Sequence, residues 1–235
     1  MKAIFKKEFR SYFLSPLGYV FIAVFAIVTA LFFFIYNLVQ GIGDTSYLFS
    51  NITLLLVLII PVLTMRSFAE EKSRKTDQLL LTCPISVTDI VLGKTLAAYA
   101  VYGMALALTL IYPLILSIYT DIAWSVMFCN YLGFFLMGAV FISIGIFISS
   151  LTENLLISAV ASFGALFVIY LMDWLSSSVK NALLGTIVNA VSVTARYSDF
   201  ANGIINIPHL IYFISAAAIF TVLTVANIDK RRWVK

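Results

Sequence analysis

Apolar stretches of membrane-spanning length alternate along this chain with short polar breaks, and the breaks carry almost all of its charge. Residues 17–39 hold no charged side chain. At about 1.5 Å per residue they can cross roughly 30 Å of hydrocarbon as a helix. Gly41, Gly43 and Asp44 turn the chain into a second run, 47–65, where Pro61 predicts a kink. The third run crosses from 95 to 117 and bends near Pro113. The fourth, 124–150, carries Gly133, Gly138 and Gly145 among Ala and Ser, which lets another helix approach closely. Thr152-Glu-Asn154 turns the chain into a fifth run ending near Asp173-Trp174, and a sixth spans 208–228. Trp124 and Trp174 fall where interfacial aromatics are expected.

Two segments depart from this rhythm. In residues 1–14, Phe5, Phe9, Tyr12 and Phe13 recur at helical spacing, with Lys2, Lys6, Lys7 and Arg10 mostly opposite, the pattern of a helix lying in the membrane interface. Ser15 and Pro16 then supply an N-cap and a first-turn proline. Between the fifth and sixth runs, Asn181–Ala195 is uncharged but too short to span comfortably. With six crossings, all of the 15 Lys and Arg except Lys180 and Arg196 fall on one side, so both termini are expected in the cytoplasm. Residues 175–207 then form an outward-side re-entrant segment, covered by other protein.

Composition makes the membrane reading firm. The chain is 62% hydrophobic and 11% charged, against about 45–50% and 25% in soluble domains. The expected fold is all-α: one polytopic transmembrane domain over 1–235, with six spans. Positive-inside topology accounts for the net charge of +4 without nucleic acid. No small-residue cleavage site follows the first run, so it reads as a retained span. Cys83 and Cys129 are expected near opposite faces, too far apart for a disulfide.

Catalytic chemistry finds no foothold. No Cys, His or carboxylate cluster has metal-ligand spacing, and Ser176–Ser178 has no basic partner nearby. His209 beside Pro208 reads as an interfacial histidine. Gly93-Lys94-Thr95 looks like the tail of a phosphate-binding loop, but Thr88 stands where that motif needs glycine. Lys94 is therefore expected to snorkel at the membrane boundary. No ionisable residue lies mid-span, which argues against ion-coupled transport or a passive ion path.

Driving energy should enter elsewhere, and one interruption suits it. Between the second and third runs stand Arg66, Glu70, Glu71, Lys72, Arg74, Lys75 and Asp77, followed by a Leu79-Leu80-Leu81 ridge. A short helix is expected over 76–82. Pro84 ends it, and Ser86 with Asp89 forms a capping box for the next helix.

The motifs Met65-Arg-Ser-Phe-Ala-Glu-Glu-Lys72, Thr76-Asp-Gln-Leu-Leu-Leu-Thr-Cys-Pro-Ile-Ser86 and Asp89-Ile-Val-Leu-Gly-Lys94 resemble the cytoplasmic loop of ABC-2 type transporter permeases. Lys6-Lys-Glu-Phe9, Ser15-Pro-Leu-Gly-Tyr19, Gly145-Ile-Phe-Ile-Ser-Ser-Leu-Thr-Glu-Asn154 and Leu210-Ile-Tyr-Phe-Ile-Ser215 extend the resemblance over nearly the whole chain, nearest to the gliding-motility-associated permeases of bacteria. It implies a subunit of the bacterial cytoplasmic membrane, without its own ATPase site, that exports a substrate. ATP and Mg would sit on two copies of a separate ATP-binding subunit, and a second permease, identical or related, would complete the path.

The resemblance also implies a coupling helix within 66–94. Arg66, Glu70, Glu71, Arg74, Lys75, Thr76, Leu79, Leu80, Thr82 and Pro84 would face the ATP-binding subunit, beside an interfacial helix carrying Phe5, Phe9 and Phe13. Lys75 stands where the family pattern usually has glycine, and Asn202 and Asn206 where relatives more often carry Arg and Asp. An alternative is a non-transporting complex that uses ATP hydrolysis to move an extracytoplasmic accessory protein, docked on the 175–207 segment through Lys180, Arg196 and Asp199.

Overall fold

The computed structural model describes residues 1–41, 46–76, 85–119, 123–176 and 192–233. Among them every regular element is helical. In chain order these are α1 (Lys2–Leu14), α2 (Pro16–Phe33) extended by a π-helical turn (Phe34–Val39), α3 (Ser46–Thr64), α4 (Ala69–Ser73) and α5 (Val87–Leu108). Then follow α6 (Ile111–Tyr119), α7 (Trp124–Leu151), α8 (Leu155–Ser176), α9 (Thr194–Ala201) and α10 (Ile207–Trp233). Six stretches are long and apolar enough to cross a membrane: α2 with its π turn, α3, α5 with α6, α7, α8 and α10.

α7 is the hub, packing against α3, α5, α8, α9 and α10. Of its apolar, span-length stretch 72% is buried, against 17% in α8 and in α10. The glycines predicted to permit close approach do so here. A Cβ on Gly133 would lie 2.5 Å from Phe200 Cβ of α9, and one on Gly138 or Gly145 would collide with Tyr102 of α5 or Thr64 of α3.

Local chemistry sets the helix ends. Ser86 Oγ accepts a hydrogen bond from Asp89 N at 3.2 Å, the predicted cap of α5. Asn154 Oδ1 accepts from Leu156 N at 2.9 Å and opens α8. The third crossing does not merely bend but breaks at Thr109-Leu110, between α5 and α6. Pro113 has no N–H to offer the Thr109 carbonyl. Tyr131 of α7 donates its hydroxyl to that carbonyl instead, at 2.8 Å. Ser15 does not cap α2: its hydroxyl donates back to the Tyr12 carbonyl at 3.3 Å, while Pro16 occupies the first turn.

α1 lies along α5 and the start of α2. Its most buried residues are Ile4 and Tyr12, with Glu8 between them on the same face. Of the aromatic stripe that marked the helix in the sequence, Tyr12 lies on that face, and Phe5, Phe9 and Phe13 stand to one side of it. Phe5 and Phe9 stack at 5.8 Å, Phe9 and Phe13 meet at 5.2 Å, and all three are half-buried.

At the opposite end of the bundle, α9 buries Tyr197 and Phe200 against α7. Tyr197 donates to Asn130 Oδ1 at 3.1 Å, and Asn130 Nδ2 reaches Ser46 Oγ and the Ala201 carbonyl. Asp199 Oδ2 lies 3.0 Å from His209 Nδ1 and accepts from Asn206 Nδ2 at 3.2 Å. This covered helix belongs to the segment expected to be re-entrant; residues 177–191 of that segment lie outside the described residues. Cys129 is buried and free, and Cys83 falls outside the described residues.

Candidate functional site

The charge predicted between the second and third spans gathers at one end of the bundle, together with α1. α3 ends at Thr64, where the missing side chain of Gly145 lets it close on α7. Just beyond, the chain is fastened to the last turn of α7. Ser149 Oγ donates to the Met65 carbonyl at 3.0 Å and accepts from the amides of Phe68 and Ala69, each at 3.2 Å. Phe68 is the N-cap residue of α4 and has no side-chain acceptor, so Ser149 performs the capping from another helix. Lys72, buried, donates to the Ser150 carbonyl, where a cation meets the negative end of the α7 dipole. Asn227 of α10 donates to the same carbonyl at 2.9 Å.

The other side of α4 faces Lys94. Its side chain is 2% exposed, and its ammonium lies 3.0 Å from Glu71 Oε1 and 3.1 Å from Glu8 Oε1. It also donates to the Ser67 carbonyl at 2.8 Å. Three N–H groups meet three acceptors from α1, the 66–76 segment and the loop before α4, and the Phe68 ring lies 5.1 Å from the ammonium. Such burial is tolerable only with full pairing. Lys94 therefore does not snorkel to the boundary as its position in the sequence suggests. Gly93 beside it explains why α1 can come so close: a Cβ there would lie 2.8 Å from Ile4 Cγ2.

Around this centre the remaining charges pair locally. Glu70 accepts from both the Nε and Nη2 of Arg66, the latter at 2.9 Å, and from Arg74 at 2.8 Å. Lys7 lies 3.5 Å from both Glu8 and Glu71. Lys75 adopts φ +56°, and the hydrogen bonds Lys75 N to Lys72 O and Thr76 N to Glu71 O close α4 in a Schellman motif. These side chains surround a cavity of about 380 Å³, bounded also by Ser11, Tyr12, Ser15, Leu17 and Ser67.

The described chain thus combines six apolar stretches of membrane-spanning length with one charged, interlocked end. Residues 2–227 match the ABC-2 family transporter proteins. The chain belongs to that family. A search of curated proteins finds none that matches it. ABC-2 chains are multi-pass membrane permeases, generally non-catalytic and partnered with ABC ATP-binding subunits. Among the described residues no group of His, Cys, Asp or Glu could hold a metal ion.

Of the residues that the resemblance singled out, Arg66, Glu70, Glu71, Arg74 and Thr76 line one cavity. Lys75 is exposed at the helix end, and Phe5, Phe9 and Phe13 flank the site on α1. Leu79, Leu80, Thr82 and Pro84 lie outside the described residues, as does most of the expected 76–82 helix. Glu8, Lys72 and Ser149 were not singled out for the site by sequence reasoning, and Lys94 was read as a snorkelling lysine. Glu8 did carry a signal, as the one acid among the bases of α1, placed four residues from both Ile4 and Tyr12.

Proposed function

We propose that this chain is the permease subunit of an ATP-driven ABC-2 exporter, and that its charged end receives the stroke of a separate ATP-binding subunit. The order of motifs favours a place near the gliding-motility-associated permeases. The supporting observation is the linkage at that end. Lys94 joins α1, the 66–76 segment and α5, while Ser149 and Lys72 join that segment to α7 and, through Ser150, to α10. A push on the 66–94 segment is thus delivered to several spans at once rather than absorbed in a loop. The Leu79-Leu80 ridge is the contact surface, the cytoplasm the side of entry, and a second permease copy or relative completes the path.

The test is reconstitution of the chain with its ATP-binding subunit in proteoliposomes, measuring ATP hydrolysis and transport together. Leu79→Asp with Leu80→Asp should leave the membrane subunit folded but abolish its binding of the ATP-binding subunit. Unchanged binding and coupled transport would remove this segment from the interface, and transport without any ATP-binding subunit would overturn the reading altogether.

A further inference from the structure

The cavity at the charged end is lined by both signs: Lys7, Arg66, Arg74 and Lys94 against Glu8, Glu70 and Glu71. A wholly anionic guest would meet three carboxylates and a wholly cationic one four cations, so a guest carrying one charge of each sign fits best. The cations are not equally committed. Lys94 is spent on its three acceptors, whereas the side chains of Lys7 and Arg74 are 62% and 69% exposed and lean in from the rim. Such exposed pairs exchange partners at little cost.

One further observation points to the guest. On the far wall, Ser15 and Leu17 flank Pro16, the first residue of the first span, so the cavity sits where hydrocarbon begins. From Leu17 the exposed apolar residues Val20, Val24, Ile27 and Leu31 continue at helical spacing as one stripe along α2.

We propose that the cavity binds the phosphoethanolamine head group of a membrane phospholipid. Its phosphate lies toward Lys7 and Arg74, its ammonium toward Glu8 and Glu71, and an acyl chain follows the Leu17–Leu31 stripe. The site shares Arg66, Glu70, Glu71, Arg74 and Thr76 with the segment proposed to meet the ATP-binding subunit, but lipid binding itself needs no such subunit.

The full chain, delipidated in detergent, would be titrated with phosphatidylethanolamine, phosphatidylcholine and phosphatidylglycerol of identical acyl chains and followed by native mass spectrometry. Phosphatidylethanolamine should bind about ten-fold more tightly than either competitor, because N-methylation removes the N–H donors and glycerol has no amine. Lys7→Glu and Ser11→Leu, both at exposed positions of α1, should each erase that preference. Equal binding of all three lipids would mean annular lipid only. Phosphatidylglycerol as tight as phosphatidylethanolamine would mean a phosphate site without an amine subsite, and soluble O-phosphoethanolamine as tight as the lipid would remove the α2 stripe. Each of these results overturns the proposal.

Discussion

Lys94 Nζ lies 3.0 Å from Glu71 Oε1, so the two ends of the 66–94 segment are clamped together while Glu8 of α1 closes on the same ammonium. Lys94→Met would leave two carboxylates and the Ser67 carbonyl facing one another without a cation. Removing one member of a buried ionic group costs about 3–5 kcal/mol. Because Glu8 and Glu71 keep 14% and 17% side-chain exposure, the lower end is expected here. The melting temperature of the purified chain should fall by roughly 6–12 °C. Adding Glu8→Gln and Glu71→Gln should recover most of the loss, because neutral amides no longer repel. Equal melting of wild type, single and triple variants would show that the cluster does not hold this end together.

Ser149 tests the linkage on the other face of α4. Ser149→Ala removes the acceptor for the Phe68 and Ala69 amides and the donor to the Met65 carbonyl. A lost N-cap costs about 1–2 kcal/mol. Hydrogen exchange at the Phe68 and Ala69 amides should rise by about an order of magnitude, while exchange in the centre of α7 stays slow. Unchanged exchange at those amides would mean that α4 is capped by other means.

The six spans were legible because lipid demands long uncharged helices, a requirement written in consecutive residues. The glycines of α7 were legible for a similar reason: a small residue among large ones marks a close approach wherever the partner comes from. Lys94 was misread because its environment is made by residues distant in sequence. A lysine at a span boundary looks the same whether it snorkels or is enclosed, and only the docking of α1 decides. Ser149 was opaque likewise, since trans-capping leaves no local pattern. The aromatic stripe of α1 marked a helix in the membrane interface but not which face is most buried: the Glu8–Lys94 ion pair draws the Ile4–Glu8–Tyr12 face inward.

Gly93 and Ile4 should behave as a coupled pair. In Gly93→Ala the new methyl would meet Ile4 Cγ2 at 2.8 Å and the Phe5 amide nitrogen at 3.3 Å, pressing α1 away from α5. Overpacking of this kind costs about 1–3 kcal/mol. Ile4→Ala alone creates a cavity and costs about 2 kcal/mol or more. Together the two changes should cost less than their sum by about 1 kcal/mol, because each relieves the other. A double-mutant cycle on thermal stability measures this, and strict additivity would show that α1 does not dock at Gly93.

Lys75 offers a change that should stabilise. Its φ of +56° places a side chain in the left-handed region, at the position that closes a Schellman motif, where glycine is the usual residue. That strain costs about 1 kcal/mol or slightly more for an L side chain. Lys75→Gly removes it but loosens the unfolded chain, which returns part of the gain. A net rise of about 0.5–1 kcal/mol in stability is therefore expected, with the bonds Lys75 N to Lys72 O and Thr76 N to Glu71 O retained. Lys75→Ala should be close to neutral, and Lys75→Val worse than wild type, because a β-branched residue is least tolerant of positive φ. Thermal unfolding of the three variants in one detergent separates the backbone effect from the lost charge, which Gly, Ala and Val share. Gly and Ala variants of equal stability would show that residue 75 does not hold the left-handed conformation.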